Sequence, residues 1–182
     1  MRSDVRKIVL SALMAALTCV ATMIIKIPSP MKGYLNLGDC VVLTAGWMLP
    51  PCWGFLAAGL GSAIYDMMNP LYISEAWITF LTKAAYGLAS GLVICCSKKP
   101  WTYVRATVAT VAGAVVYAAL YLAKTCFYSG MLLKGLPLEA AALTVVTKLP
   151  ATVFNAVIAI VFAPVLAVSI RKALERNRLS LE

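Results

Sequence analysis

The chain has 182 residues, of which 62% are hydrophobic and 13% charged, with a mean hydropathy of +0.88. A soluble domain is nearer half apolar and a quarter charged, so this balance excludes an ordinary soluble protein and points to an integral membrane protein with a single domain over 1–182. The net charge of +9 does not imply a nucleic-acid partner, because most Arg and Lys lie in short stretches between apolar segments, where they set topology.

The first predicted element is an apolar stretch over about 8–27. Its basic start resembles a signal peptide, but the apolar run from Ile8 to about Ile25 is longer than a signal core and is read as a retained helix. It ends at "IPSP", since Pro28 and Pro30 cannot continue a helix. The second segment, about 39–49, is too short to cross at right angles and stops at Pro50-Pro51. The third, about 52–69, ends at Asn69-Pro70. The fourth spans about 76–96, the fifth about 103–126 and the sixth about 138–170, with Pro150 and Pro164 as expected kinks. The fold class is therefore all-α, with six transmembrane helices.

Charge orients the six spans. Arg2, Arg6 and Lys7 precede the first; Lys98 and Lys99 lie between the fourth and fifth, with Arg105 just inside the fifth; Arg171, Lys172, Arg176 and Arg178 follow the sixth. Six crossings put these three regions, with every arginine, on one side. The positive-inside rule makes that side cytoplasmic, with both termini there. The turn-rich "KGYLNLGDCV" (32–41) then faces outward as a cover over a site, with Asp39 at a helix start either as an N-cap or as a ligand contact.

Ionisable groups inside spans are costly and face cavities or partners. Spacings of three and four residues align Thr18, Thr22 and Lys26 in the first segment, and Ser62, Asp66 and Asn69 in the third. The fourth carries Thr79, Lys83, Tyr86 and Ser90, the fifth Tyr117, Tyr121, Lys124 and Tyr128, and the sixth Thr144, Lys148, Thr152 and Asn155. Five such stripes at one level build a solvated pocket in the outer half. Bland readings stand beside this one. Tyrosines near a helix end form interfacial belts, Lys26 and Lys124 can snorkel, and Ser and Thr satisfy backbone carbonyls. Lys83 and Lys148 lie about 10 to 15 Å in from the outer helix ends, at 1.5 Å per residue. They either contact a ligand or are neutralised by Asp39, Asp66 or Glu139.

The inner half of the first segment pairs small residues four apart, Ala12 with Ala16 and Ser11 with Ala15. The third has Gly54, Ala58, Gly61 and Ser62. Such spacing permits close helix approach, either within the bundle or to another membrane subunit. The six cysteines lack zinc-type spacing, and with no histidine there is neither a metal site nor a catalytic constellation. No phosphate-binding loop is present, so ATP hydrolysis would belong to partners.

The ordered set Ala12/Ala16, "IPSP" and "GYLNLGD", Pro51 and Gly54, Gly59, Gly61 and Asp66, Lys83, and the late "KLPATVFNAVIAI" resembles the substrate-binding S components of energy-coupling factor (ECF) vitamin transporters over nearly the whole chain. One departure is "MLPPCWG", where Pro50 stands in place of an expected glycine. The resemblance implies a bacterial plasma-membrane subunit that binds a water-soluble vitamin or precursor from outside. It docks through an alanine face (Ala12, Ala15, Ala16) on a transmembrane scaffold subunit with two ATPases, then topples to release substrate. No cofactor is expected. The substrate-binding candidates are Tyr34, Asn36, Asp39, Asp66, Thr79, Lys83, Tyr86, Tyr117, Tyr121, Lys124, Lys148 and Asn155. The lysine excess on the outer side favours an anionic or electron-rich ligand, and tyrosines with Trp77 suit a flat ring. Riboflavin, a pyridoxine-type vitamin or a thiamin-related pyrimidine fit best, with pantothenate and folate open. A self-sufficient small-solute transporter, or a structural subunit of another membrane complex, is the alternative.

Overall fold

The computed structural model describes residues 2–24, 26–28, 34–96 and 102–176, with the backbone alone described at 2, 3, 26–28, 34, 35 and 173–175. Lys32, Lys98, Lys99, Arg178 and the tip of the expected cover, 29–33, lie outside the described residues, as do the side chains of Arg2, Lys26 and Tyr34.

Six helices form where apolar runs are bounded by proline and polar turns. They are α1 (Arg2–Ile24), α2 (Gly38–Met48), α3 (Pro51–Met68), α4 (Ala76–Cys95), α5 (Tyr103–Ala123) and α6 (Leu138–Arg176). A 3₁₀ turn, Ile73–Glu75, opens α4, and α5 runs on as a π-helix, Lys124–Leu133. Between α1 and α2, β1 (Lys26–Pro28) and β2 (Tyr34–Asn36) form an antiparallel pair, with Ile27 opposite Leu35. Four helical stretches are long and apolar enough to cross a membrane: Asp4–Ile24, Ile73–Cys95, Tyr103–Leu133 and Leu138–Lys172.

The short second segment has a structural explanation. All 11 residues of α2 are buried, and the helix contacts α1, α3, α4 and α6. Backbone at membrane depth is tolerated when protein surrounds it, so α2 need not span alone. Val42 and Leu43 are fully enclosed and anchor the main core with Tyr86, Ala106 and Ala109. Ala159, Ala163 and Ala167, four residues apart on α6, complete it and are also fully buried. Small side chains let the helices approach until backbones touch. A Cβ on Gly46 of α2 would overlap the carbonyl of Gly87 of α4, and one on Gly61 of α3 would overlap that of Ala15 of α1.

Two turn expectations are revised. Leu49 and Pro50 are both extended with negative φ, and Pro51 opens α3 at a position where its missing N–H costs nothing. No glycine is needed at residue 50. Asp39 is not a cap: Leu37 precedes the helix, and Asn36 Oδ1 accepts the N–H of Gly38 at 2.6 Å. The Asp39 carboxylate is turned to α4 instead. α6 stays helical through Pro150 and Pro164.

The third segment's small residues are internal. Gly54, Ala58, Gly61 and Ser62 are all buried. On α1 the small residues divide: Ala12 and Ala16 are exposed, whereas Ala15 is 6% exposed and packs against Gly61. Ala15 therefore leaves the expected docking face, because its side of α1 is already occupied by α3.

The molecule has two distinct ends. At one, Met14, Met48, Leu49 and Ala57 cluster with Leu10, Trp53 and Ile170. At this end Arg105 donates to the carbonyls of Val93 and Ile94, closing the C-terminus of α4 with a cation where its dipole favours one. The other end holds a polar cavity.

Candidate functional site

The cavity has a volume of ≈ 160 Å³, roughly ten times the space one water requires on the same measure. Every long helix contributes to it. α1 provides Thr22; α3 provides Ser62, Tyr65 and Asp66; α4 provides Thr79, Thr82 and Lys83. α5 and its π-helical extension provide Tyr117, Tyr121 and Lys124, and α6 provides Lys148, Ala151, Thr152 and Asn155. Asn36, Asp39, Tyr72 and Glu75 complete the wall. The helical period alone thus turns one polar stripe per helix to a common centre, with each span's outer surface left apolar.

Three lysines enter this space, each in a different electrostatic setting. Lys83 is ion-paired to Asp39, with both side chains nearly removed from solvent, and its ammonium stands 3.9 Å from the centre of the Tyr117 ring. Tyr117 in turn stacks on Tyr86 at 4.9 Å between ring centres. Lys124 pairs with Glu75 at 2.8 Å and donates to Thr79 Oγ1 at 3.0 Å. Lys148 makes no ion pair with any described residue; its nearest aromatic contact is the Tyr121 ring at 5.7 Å. Asp66 likewise has no ion pair among the described residues and lines the same cavity as Thr79.

Among the described residues, the lining holds Asp39, Asp66 and Glu75 against Lys83, Lys124 and Lys148, so their formal charges balance. Lys134 is described and does not line the cavity, while Lys32 and the Lys26 side chain lie outside the described residues.

The expected cover is tied to this wall. Asn36 N–H on β2 donates to Asn155 Oδ1 of α6 at 3.1 Å, joining positions 119 residues apart. Of the twelve substrate-binding candidates, ten line the cavity: Asn36, Asp39, Asp66, Thr79, Lys83, Tyr117, Tyr121, Lys124, Lys148 and Asn155. Tyr86 does not. It is 1% exposed and lies in the core behind Tyr117, which takes the cavity-facing position. The Tyr34 side chain lies outside the described residues. Trp77 is also away from the cavity, 55% exposed, and donates to Tyr128 Oη at 2.9 Å. That hydroxyl donates to the Ser74 carbonyl at 2.8 Å, an outward-facing arrangement typical of a membrane-interface aromatic. Glu139 is exposed and neutralises neither Lys83 nor Lys148.

Residues 2–172 match the family described as ECF-type riboflavin transporter, S component. The chain belongs to that family. No curated protein matches the chain. Membership in the ECF-type S components makes it a membrane transport protein of a generally non-enzymatic class, a substrate-binding subunit.

Glu75, Tyr65, Tyr72, Thr82 and Ala151 were not selected as site residues by spacing. Glu75 and Tyr72 sit in the turn between α3 and α4, where no helical period applies. Ser129 was missed for a related reason. It donates to Glu75 Oε1 at 2.8 Å from a position five residues after Lys124. On an α-helix that separation is about 140° of rotation at 100° per residue. In the π-helix, residues five apart are hydrogen-bonded neighbours, so Lys124 and Ser129 both reach one carboxylate.

Proposed function

We propose that this chain is the high-affinity substrate-binding subunit of an ECF-type ABC importer for riboflavin. The observation that carries the reading is the polar cavity built by one stripe from each long helix, in a chain whose family description names riboflavin. Tyr117 and Tyr121 offer ring faces to a flat heteroaromatic system. Lys148 offers an ammonium to its carbonyl oxygens, and Asp66 with Thr79 offers acceptors and a hydroxyl to a polyol. Asp39 and Lys83 act as a preorganised pair in the wall, and Asn36 and Asn155 hold the β2 edge as a cover. Tyr34 belongs to the same cover.

In this reading residues 1–182 form one unit of six spans in a bacterial plasma membrane, with both termini cytoplasmic and the cavity facing out. The separation of the cavity from the Arg105 end supports that orientation. Ala12 and Ala16 form the face that docks on a transmembrane scaffold subunit, and two ATPases supply the energy. The chain itself carries no catalytic residue.

The test is titration of the detergent-purified chain with riboflavin, following quenching of flavin fluorescence. Pyridoxine and the thiamin pyrimidine serve as competitors. Saturable one-to-one quenching that neither competitor reverses is the expected result. Displacement by one of them transfers the assignment to that compound. No binding by folded protein removes the reading. Uptake by cells lacking any ATPase partner would instead favour a self-sufficient transporter.

A further inference from the structure

We propose that Ser129 is a positioning residue: π-helical winding brings it to Glu75, and through that carboxylate it fixes the Lys124 ammonium in the cavity wall. The inference rests on the riboflavin reading only for the identity of the ligand. Glu75 receives both side chains, Lys124 on one carboxylate oxygen at 2.8 Å and Ser129 on the other at 2.8 Å. Ser129 does not line the cavity, whereas Glu75 and Lys124 both do. With both oxygens engaged the carboxylate loses its free rotation, so the hydroxyl sets the plane in which Lys124 is held. The same ammonium donates to Thr79 Oγ1 at 3.0 Å, which fixes it between the α3–α4 turn and α4.

The winding makes this contact possible. π-helices are rare and concentrate at functional sites. This one runs for ten residues, Lys124–Leu133, and is held on two sides. On one side the consecutive residues Tyr128 and Ser129 take the consecutive residues Ser74 and Glu75. Tyr128 Oη donates to the Ser74 carbonyl at 2.8 Å, and Ser129 donates to Glu75. On the other side Gly130 packs so closely on α6 that a Cβ there would stand 2.9 Å from the Cβ of Ala141. A slip of one residue would break all three contacts together. The segment is therefore fixed in register, and the register delivers Lys124 to the cavity. A lysine on a free stem must be ordered when a ligand binds, whereas one already held by Glu75 and Thr79 has little freedom left to lose.

The experiment measures the riboflavin Kd of the purified full chain, of Ser129→Ala, of Lys124→Met and of the double variant. Ser129→Ala should weaken binding about threefold to tenfold, the scale of one hydrogen bond. In the Lys124→Met chain the same change should have an effect below about twofold, because a residue that acts through another has nothing left to act on. Ser129→Thr, which keeps the hydroxyl, should restore wild-type binding. Equal losses in both backgrounds, or no loss in either, overturn the proposal while the riboflavin reading stands. A second readout needs no ligand: acetylation of Lys124 by acetic anhydride, followed by mass spectrometry as a ratio to the exposed Lys134 in the same sample. Ser129→Ala should raise that ratio about threefold or more, and Ser129→Thr should leave it at the wild-type value. The nearly isosteric Ser129→Cys, a weak donor, takes the place of the alanine variant if that chain does not fold. An unchanged ratio overturns the proposal. Failure of the wild-type chain to bind riboflavin removes only the riboflavin reading, and the acetylation ratio then decides the positioning.

Discussion

Lys83 of α4 and Asp39 of α2 form an ion pair with side-chain exposures of only 8% and 5%, at the inner wall of the cavity. Removing one partner leaves a buried charge without compensation. Lys83→Ala is therefore expected to destabilise the chain by about 3 to 5 kcal/mol, more than loss of a single ligand contact accounts for. Replacing both, as Lys83→Met with Asp39→Leu, is expected to recover most of that loss. Thermal unfolding in detergent checks this. A Lys83→Ala chain as stable as the wild type would show that the pair carries little of the fold.

Lys148 is the contrasting case. It has no ion pair to lose among the described residues, so Lys148→Ala should leave the melting temperature nearly unchanged. Its effect should fall on binding: about 1.5 to 3 kcal/mol for one charge-assisted hydrogen bond, or roughly ten- to 150-fold in Kd. Riboflavin titration measures it. Unaltered affinity would move the ligand away from the α6 wall.

These two lysines mark how far sequence reasoning reached. Both were singled out by cost, since a cation deep in an apolar span demands a partner, and both do line the cavity. Helical spacing put five stripes on one site because regular helices transmit a period of 3.6 faithfully. It failed where the period stops. Glu75 lies in a turn, and Ser129 follows π-helical winding. Asp39, one of three carboxylates offered as a partner for Lys83, is the one that meets it, across 44 residues of sequence. Tyr86 failed differently. It shares the face of Lys83, but Tyr117 occupies the layer between it and the cavity, a depth no one-dimensional pattern encodes. The buried α2 was legible only as a span that was too short.

Topology has a direct test. Cys52 and Cys96 are exposed and lie toward the Arg105 end, whereas Leu71, 76% exposed, sits in the turn beside the cavity. Single-cysteine chains retaining Cys96 or carrying Leu71→Cys can be exposed to a membrane-impermeant maleimide in right-side-out vesicles. Leu71→Cys should label in intact vesicles, and Cys96 only after permeabilisation. The reverse pattern would place the cavity on the cytoplasmic side and contradict an importer that captures its ligand outside.

Ala12, Ala15 and Ala16 are alike in sequence, but α3 separates their roles. Ala15 packs on Gly61, so Ala15→Leu should overfill the α1–α3 contact and cost about 1 to 3 kcal/mol of stability. Ala12 and Ala16 are exposed, so a larger side chain there extends away from the described core. Ala12→Leu and Ala16→Leu should therefore melt like the wild type and bind riboflavin with unchanged affinity. If their face meets the scaffold subunit, uptake by the reconstituted complex should fall at least tenfold, since close helix approach depends on small residues. Measuring melting, binding and uptake on all three variants separates the cases. Full uptake by both Ala12→Leu and Ala16→Leu would place docking on another surface, and a stable Ala15→Leu would mean that α1 and α3 can part without harm to the fold.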